Sequence, residues 1–205
     1  MDTKQKILDE ALTLFSEKGY ANVFVSEIAE RVGIKAPSLY KHYKSKQAIF
    51  GAIIEEIHRR FLEQAKHLNI QGNNPIVDAE IYSGLPEEEL VRLGINLFLY
   101  QLHDDYTRRI RKMLTIEQFH NKDLAIAYMH QYMDDPMFYF TALLKQAVDQ
   151  GVLQTDNVEV MTLQFYAPFY TLMTVCDRDP EREAESVQIL EDHIRQFNKL
   201  YGRAV

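Results

Sequence analysis

The chain has 205 residues, of which 46% are hydrophobic, with a single cysteine and a formal net charge of −7 at pH 7. One cysteine, Cys176, excludes an internal disulfide framework and reads as a small buried apolar residue ahead of a redox sensor. The most apolar stretch, residues 165–176, is broken by Pro168, Thr171 and Thr174 and falls short of the ~20 helical residues that cross a bilayer, so no membrane partner is expected.

Apolar residues recur every three or four positions along the whole length, which predicts an all-α protein. A first helix is expected over residues 3–18, with Asp2 or Thr3 as cap, a stripe of Ile7, Leu8, Ala11, Leu12 and Phe15, and a stop at Gly19. No signal-peptide pattern precedes it, which predicts a cytoplasmic protein. A second short helix, 25–32, ends at Gly33, and a third opens two residues later. Two short helices joined at a glycine are the layout of a helix-turn-helix. Gly33 suits a positive φ in the turn, and Pro37 suits a first helical turn, where its missing N–H has no partner to lose.

At 100° per residue the third helix places Ala36, Leu39 and Tyr43 on one side, for packing, with Tyr40 at the margin. Pro37, Ser38, Lys41 and His42 fall opposite, a short polar face of the kind that lies in a major groove. The charge distribution agrees. Residues 1–60 hold ten Lys and Arg against eight Asp and Glu, +2, leaving −9 for the rest. Arg31, Lys35, Lys41, Lys44 and Lys46 follow one another with no acid between them, a cationic stripe suited to phosphate contact that could equally be a solvated face. Ser45 should cap a fourth helix, 46–67, and Lys46 in its first turn is a phosphate-clamp candidate. Residues 1–50 are thus expected as a DNA-binding domain, the fourth helix as its link, and residues 51–205 as a second helical domain.

Residues 69–86, with breakers at both ends (Gln71 to Pro75, Ser83 to Pro86), read as a linker or loop. Helices are expected beyond it at 87–103, 105–120, 122–134, 136–150, 157–177 and 181–201. Pro136 either starts one of these or kinks a longer helix, and Pro168 interrupts another. On the helix after residue 105, Glu117 lands in the apolar stripe and His120 at its border, while Arg108, Arg111 and Lys112 point away. A carboxylate facing inward needs a partner: a core hydroxyl, His120 or a ligand cation.

Aromatic and methionine residues crowd residues 98–173. Singly each reads as core. Together Phe98, Met113, Tyr128, Tyr132, Phe165 and Phe169, with Glu117 and His120, are candidates for an adaptable pocket that takes a small apolar or aromatic, or cationic, effector. In the last helix Val187, Leu190, Ile194, Phe197 and Tyr201 recur at spacings of three and four, either intramolecular core or the seam of a helix pair between two subunits.

The run from Ile28 to Lys46 resembles the tetracycline-repressor (TetR) family of bacterial transcription regulators. Ile28-Ala29, the turn Gly33, Ala36-Pro37-Ser38, Leu39-Tyr40, Tyr43 and Ser45-Lys46 carry the likeness, joined by Ala11, Phe15 and Gly19-Tyr20. The resemblance implies an N-terminal three-helix DNA-binding domain and a C-terminal helical bundle for ligand binding and dimerisation. It also implies a homodimeric repressor on a palindromic operator in double-stranded DNA, released when an effector moves the recognition helices out of register. The DNA-binding residues it implies are Ser26, Lys35, Ala36, Pro37, Ser38, Tyr40, Lys41, His42, Lys44 and Lys46. Three positions depart from the family pattern: Phe24 stands where a Ser or Thr usually caps the second helix, leaving Ser26 as a partial substitute, Tyr43 replaces a Phe, and Lys35 replaces a small hydroxyl residue.

A regulator of the same fold without a small-molecule effector, acting as an activator or under a protein partner, is the alternative. An enzyme is not expected, nor is any cofactor or metal. Glu55-x-x-His58 and Glu117-x-x-His120 have the spacing of a carboxylate metal bundle, but Glu55 lies nearly opposite the apolar stripe of its helix.

Overall fold

A computed structural model describes residues 2–154 and 157–202. The described residues are helical with no strand beyond one isolated bridge, Leu153 to Gly202, and they divide into two packing units. One runs to Phe61 and resumes over Asp105–Tyr128; the other comprises Leu62–Asp104 and the described residues from Met129 onward. The units therefore do not follow a cut at residue 50. The first four turns of the fourth helix and two helices from the middle of the chain pack with the N-terminal residues.

In the first unit α1 (Thr3–Lys18), α2 (Val25–Val32) and α3 (Ala36–His42) are followed by α4 (Lys46–His67). The core is built from the amphipathic stripe of α1, Ile7, Ala11, Leu12 and Phe15, against Ile28, Leu39, Ile49 and Ile53, all essentially inaccessible. Two short helices hold little stability of their own, so this burial fixes them. α1 also packs on α7 (Asp105–Glu117). Tyr106, Thr107, Ile110, Arg111, Met113, Leu114 and Glu117 of α7 are buried, so its inner face is wide enough to take in Arg111, which the helical wheel had turned outward. α7 ends at Glu117, three residues before the expected stop, and α8 (Lys122–Met129) follows.

The second unit holds α5 (Pro75–Ser83), α6 (Glu87–His103), α9 (Asp135–Asp149), α10 (Val158–Arg178) and α11 (Glu183–Tyr201). α5 corrects the expected loop at 69–86. The breakers are real boundaries: the Asn74 side chain accepts the Val77 N–H (3.3 Å), Pro75 opens the helix and Gly84 follows it. Between them, however, nine residues form a helix whose buried face is Asp78 and Ala79. Asp78 is fully buried and accepts the N–H groups of Gln71 (2.7 Å) and Gly72 (2.8 Å) and the hydroxyl of Tyr139 (2.6 Å). Three donors compensate the carboxylate for lost water.

Pro136 sits in the first turn of α9, entered through a π-helical turn over His130–Asp134. A proline offers no N–H to the carbonyl four residues earlier. That carbonyl, of Tyr132, accepts the Tyr166 hydroxyl at 2.8 Å. Cys176 is buried. No described helix is long and apolar enough to cross a membrane.

Candidate nucleic-acid interface and ligand cavity

The turn between α2 and α3 is set by Gly33, at φ 82° and ψ 29°. Its N–H bonds the Glu30 carbonyl (3.0 Å) and the Ile34 N–H bonds that of Ala29 (2.9 Å), closing the end of α2 with a left-handed residue. A Cβ there would touch nothing within 4 Å, so the requirement is conformational rather than spatial. The start of α2 is held differently from the expectation for Ser26. Glu27 reaches back to the Phe24 N–H (2.8 Å) and pairs with Lys18 (2.8 Å), while Ser26 is exposed. The Lys18 hydrogen bond, then that of the Phe24 amide, lowers the Glu27 carboxyl below its ordinary pKa.

On α3, Leu39 is fully buried and anchors the helix, with Ala36 and Tyr43 half-buried beside it. Pro37, Tyr40 and Lys41 are exposed, and Ser38 and His42 are half-exposed. The five-residue cationic stripe does not act as one. Arg31 is tied to α1, 3.0 Å from Glu10 and 3.7 Å from Glu17. Lys46 donates to the carbonyls of Tyr20 (2.7 Å) and Val23 (2.9 Å) and lies 4.4 Å from the Tyr20 ring centre. Burial, the largest cause, lowers its pKa. Lys46 thus fastens the loop before α2 to the start of α4, where the Ser45 hydroxyl accepts the Ala48 N–H (3.0 Å). Lys35, Lys41 and Lys44 are exposed and form no ion pair among the described residues.

The same loop is braced from α7. Glu117, nearly buried, accepts the Tyr20 N–H at 3.1 Å. The partner that sequence reasoning sought for this carboxylate is therefore a backbone amide. His120 is exposed.

The second unit holds a half-open cavity of about 160 Å³. α6 contributes Leu90, Leu93, Gly94 and Leu97; α9 contributes Phe140, Leu143, Leu144 and Ala147; α10 contributes Phe165, Tyr166 and Phe169; α11 contributes Leu190, His193, Ile194, Phe197 and Asn198. α5 adds Ala79, Tyr82 and Ser83. Burial, the largest cause, pushes the Tyr82 phenol up to about 12, so it stays protonated at neutral pH.

Of the eight effector candidates, Phe165 and Phe169 line this cavity, Phe98 packs edge-on against Phe169 (5.3 Å between centres), and Tyr132 supports Tyr166 through its carbonyl. Met113, Glu117, His120 and Tyr128 belong to the other unit and do not line it. The expected subunit seam on α11 also turns inward. Leu190, Ile194 and Phe197 are buried within one chain, Val187 and Tyr201 are half-buried, and the stripe serves as core and cavity wall. A three-four repeat fits either use, because both need one continuous apolar face.

Residues 7–53 match the model of bacterial regulatory proteins of the tetR family. This N-terminal segment is that of a TetR-family regulator. Its helix-turn-helix is the DNA-binding part of such regulators. The biofilm operon icaADBC negative transcriptional regulator IcaR of Staphylococcus epidermidis is 43% identical over 60 residues, 29% of this chain. The match spans only about a third of IcaR, 32%. YttP of Bacillus subtilis, named for an HTH-type transcriptional regulator, is 22% identical over 192 residues, 84% of this chain and 88% of YttP. Among solved structures, the fold is shared with the triclosan complex of SmeT, repressor of the Stenotrophomonas maltophilia multidrug efflux pump SmeDEF (TM-score 0.70, 20% identity, covering 98% of this chain and 92% of that one).

Proposed function

We propose that the chain is a transcriptional repressor that binds a palindromic operator as a homodimer and leaves it when a small molecule occupies the second unit. The observation that carries this reading is the cavity: a folded helical bundle excludes large voids from its core, yet this one keeps a half-open space of about 160 Å³ among five helices. A DNA-binding unit joined in one chain to such a cavity is the composition of a ligand-controlled switch. The names of IcaR, a negative regulator, and of SmeT, a repressor crystallised with triclosan, support the direction of control.

The DNA face is Pro37, Ser38, Tyr40, Lys41 and His42 of α3, with Lys35 and Lys44 on phosphates and Ala36 and Ser26 at its edge. Lys46 acts indirectly, by fixing the loop ahead of α2. The dimer contact falls on the outward faces of α10 and α11, where Val160, Leu163, Ile189 and Leu200 are exposed, in place of the inward Val187 to Tyr201 stripe. Selection of bound duplexes from a random pool tests the reading. It predicts palindromic sites, two chains per duplex, and release by a compound that also raises the melting temperature. Monomer alone in sedimentation at micromolar concentration, or half-sites alone among selected sequences, refutes it.

A further inference from the structure

The cavity wall restricts what can enter. Among the described residues, no Asp, Glu, Lys or Arg lines it. Its hydroxyls are committed elsewhere: Tyr166 donates to the Tyr132 carbonyl (2.8 Å), Ser83 to that of Ala79 (2.6 Å), and Tyr82 is hydrogen-bonded with Tyr139, which donates to Asp78 (2.6 Å). A cation or anion entering here gives up hydration and meets no opposite charge, so an ionised ligand is disfavoured.

His193 and the amide of Asn198 are the further polar groups on the wall, and His193 is the one held in place by the backbone. Its Nε2 lies 3.0 Å from the Phe165 carbonyl oxygen. A carbonyl only accepts, so the proton of the neutral ring sits on Nε2, and Nδ1 carries a lone pair. The imidazole is flanked by Phe165 and Phe197, with ring centres 6.1 Å and 6.4 Å away. Size adds a second constraint. An apolar cavity of about 150 Å³ holds a single benzene ring, and this one is of that order, about 160 Å³.

The structure assigns the cavity to an uncharged molecule with the bulk of one six-membered ring that carries a hydroxyl, as a simple phenol does, the hydroxyl donating to Nδ1 of His193. The assignment names the effector class within the ligand-release reading and rests on that reading only for its effect on DNA.

Calorimetry and thermal melting of the full chain with phenol, toluene, benzoate and benzylammonium test it. Phenol should raise the melting temperature and bind at least tenfold tighter than toluene, whereas benzoate and benzylammonium should bind at least a hundredfold more weakly than phenol. In His193→Phe, phenol and toluene should fall within threefold of each other. The wild-type chain labelled with ¹⁵N-histidine gives a readout independent of that variant's folding: the Nδ1 resonance of His193 should move on adding phenol and stay on adding toluene. Equal binding of either ion and phenol, an undiminished phenol preference in His193→Phe, or an unmoved Nδ1 resonance overturns the assignment. Operator DNA followed by anisotropy separates the two claims. Phenol that binds without releasing DNA refutes ligand release and leaves the assignment standing. DNA released by a charged or multi-ring compound, with no phenol binding, refutes the assignment and leaves ligand release standing.

Discussion

Gly19 and Gly33 both have positive φ, 81° and 82°, yet replacing each by alanine should have different consequences. At Gly33, in the left-handed region with open space around the missing Cβ, the cost is backbone strain of about 1–2 kcal/mol. Gly19 has ψ 149°, a region that is nearly glycine-only and costs an alanine about 2 kcal/mol. Its new Cβ would also stand 2.6 Å from Oε1 of Glu117, the oxygen that accepts the Tyr20 N–H. Moving that carboxylate leaves a half-buried amide unpaired, about 2 kcal/mol more. Gly19→Ala should therefore cost about 4 kcal/mol, and for a chain of this size lower the melting temperature by about 12 °C against about 4 °C for Gly33→Ala. A double-mutant cycle isolates the steric part: Glu117→Ala removes both the clash and the hydrogen bond, so Gly19→Ala on that background should cost about 2 kcal/mol less than in the wild type. Urea unfolding followed by circular dichroism measures all five proteins. Equal losses at the two glycines, or an additive cycle, refute the reasoning.

Lys46→Ala removes an ammonium from two loop carbonyls and an aromatic face, and should lower stability by about 2 kcal/mol while weakening binding to every DNA sequence alike. Lys41→Ala should stay within about 0.5 kcal/mol of wild-type stability and instead shift sequence preference by about 1–3 kcal/mol, read by competition between selected duplexes. Asp78→Ala strands two backbone N–H groups and the Tyr139 hydroxyl and should cost about 3 kcal/mol in urea unfolding. Hydrogen bonding from Arg59, outweighing burial and joined by Arg60, holds the Glu56 carboxyl below its ordinary value of 4.5. Its stabilisation is thus fully present above that value and lost as pH falls through the lower folded one. Unfolding titrations below pH 5 should show a shallower acid loss in Glu56→Gln than in wild type.

The first fifty residues were legible because local signals and tertiary structure agree there: a turn glycine, a helix-opening proline, the Ser45 cap and one apolar stripe per helix fix both element and orientation. What sequence did not reveal was how charges are spent. Arg31 and Lys46 stand in an uninterrupted basic run, and only the fold shows that Glu10 and a loop of carbonyls claim them. α5 was lost for a related reason: its buried face contains Asp78, which periodicity counts as a polar, outward residue. The cavity was half visible. Phe165 and Phe169 came from aromatic density, but Leu90, Gly94 and Leu97 lie on a helix that carried no site signal, and His193 lies on the last helix, whose stripe also fits packing between subunits and does not name its partner.

Tyr166 links two features that looked separate in the sequence. Pro136 offers no N–H to the Tyr132 carbonyl, and the π-helical turn over His130–Asp134 lies just before it. The Tyr166 hydroxyl donates to that carbonyl, while the same side chain lines the cavity. A ligand that pushed Tyr166 aside would therefore break this hydrogen bond at the entry to α9 as well as displace a wall residue.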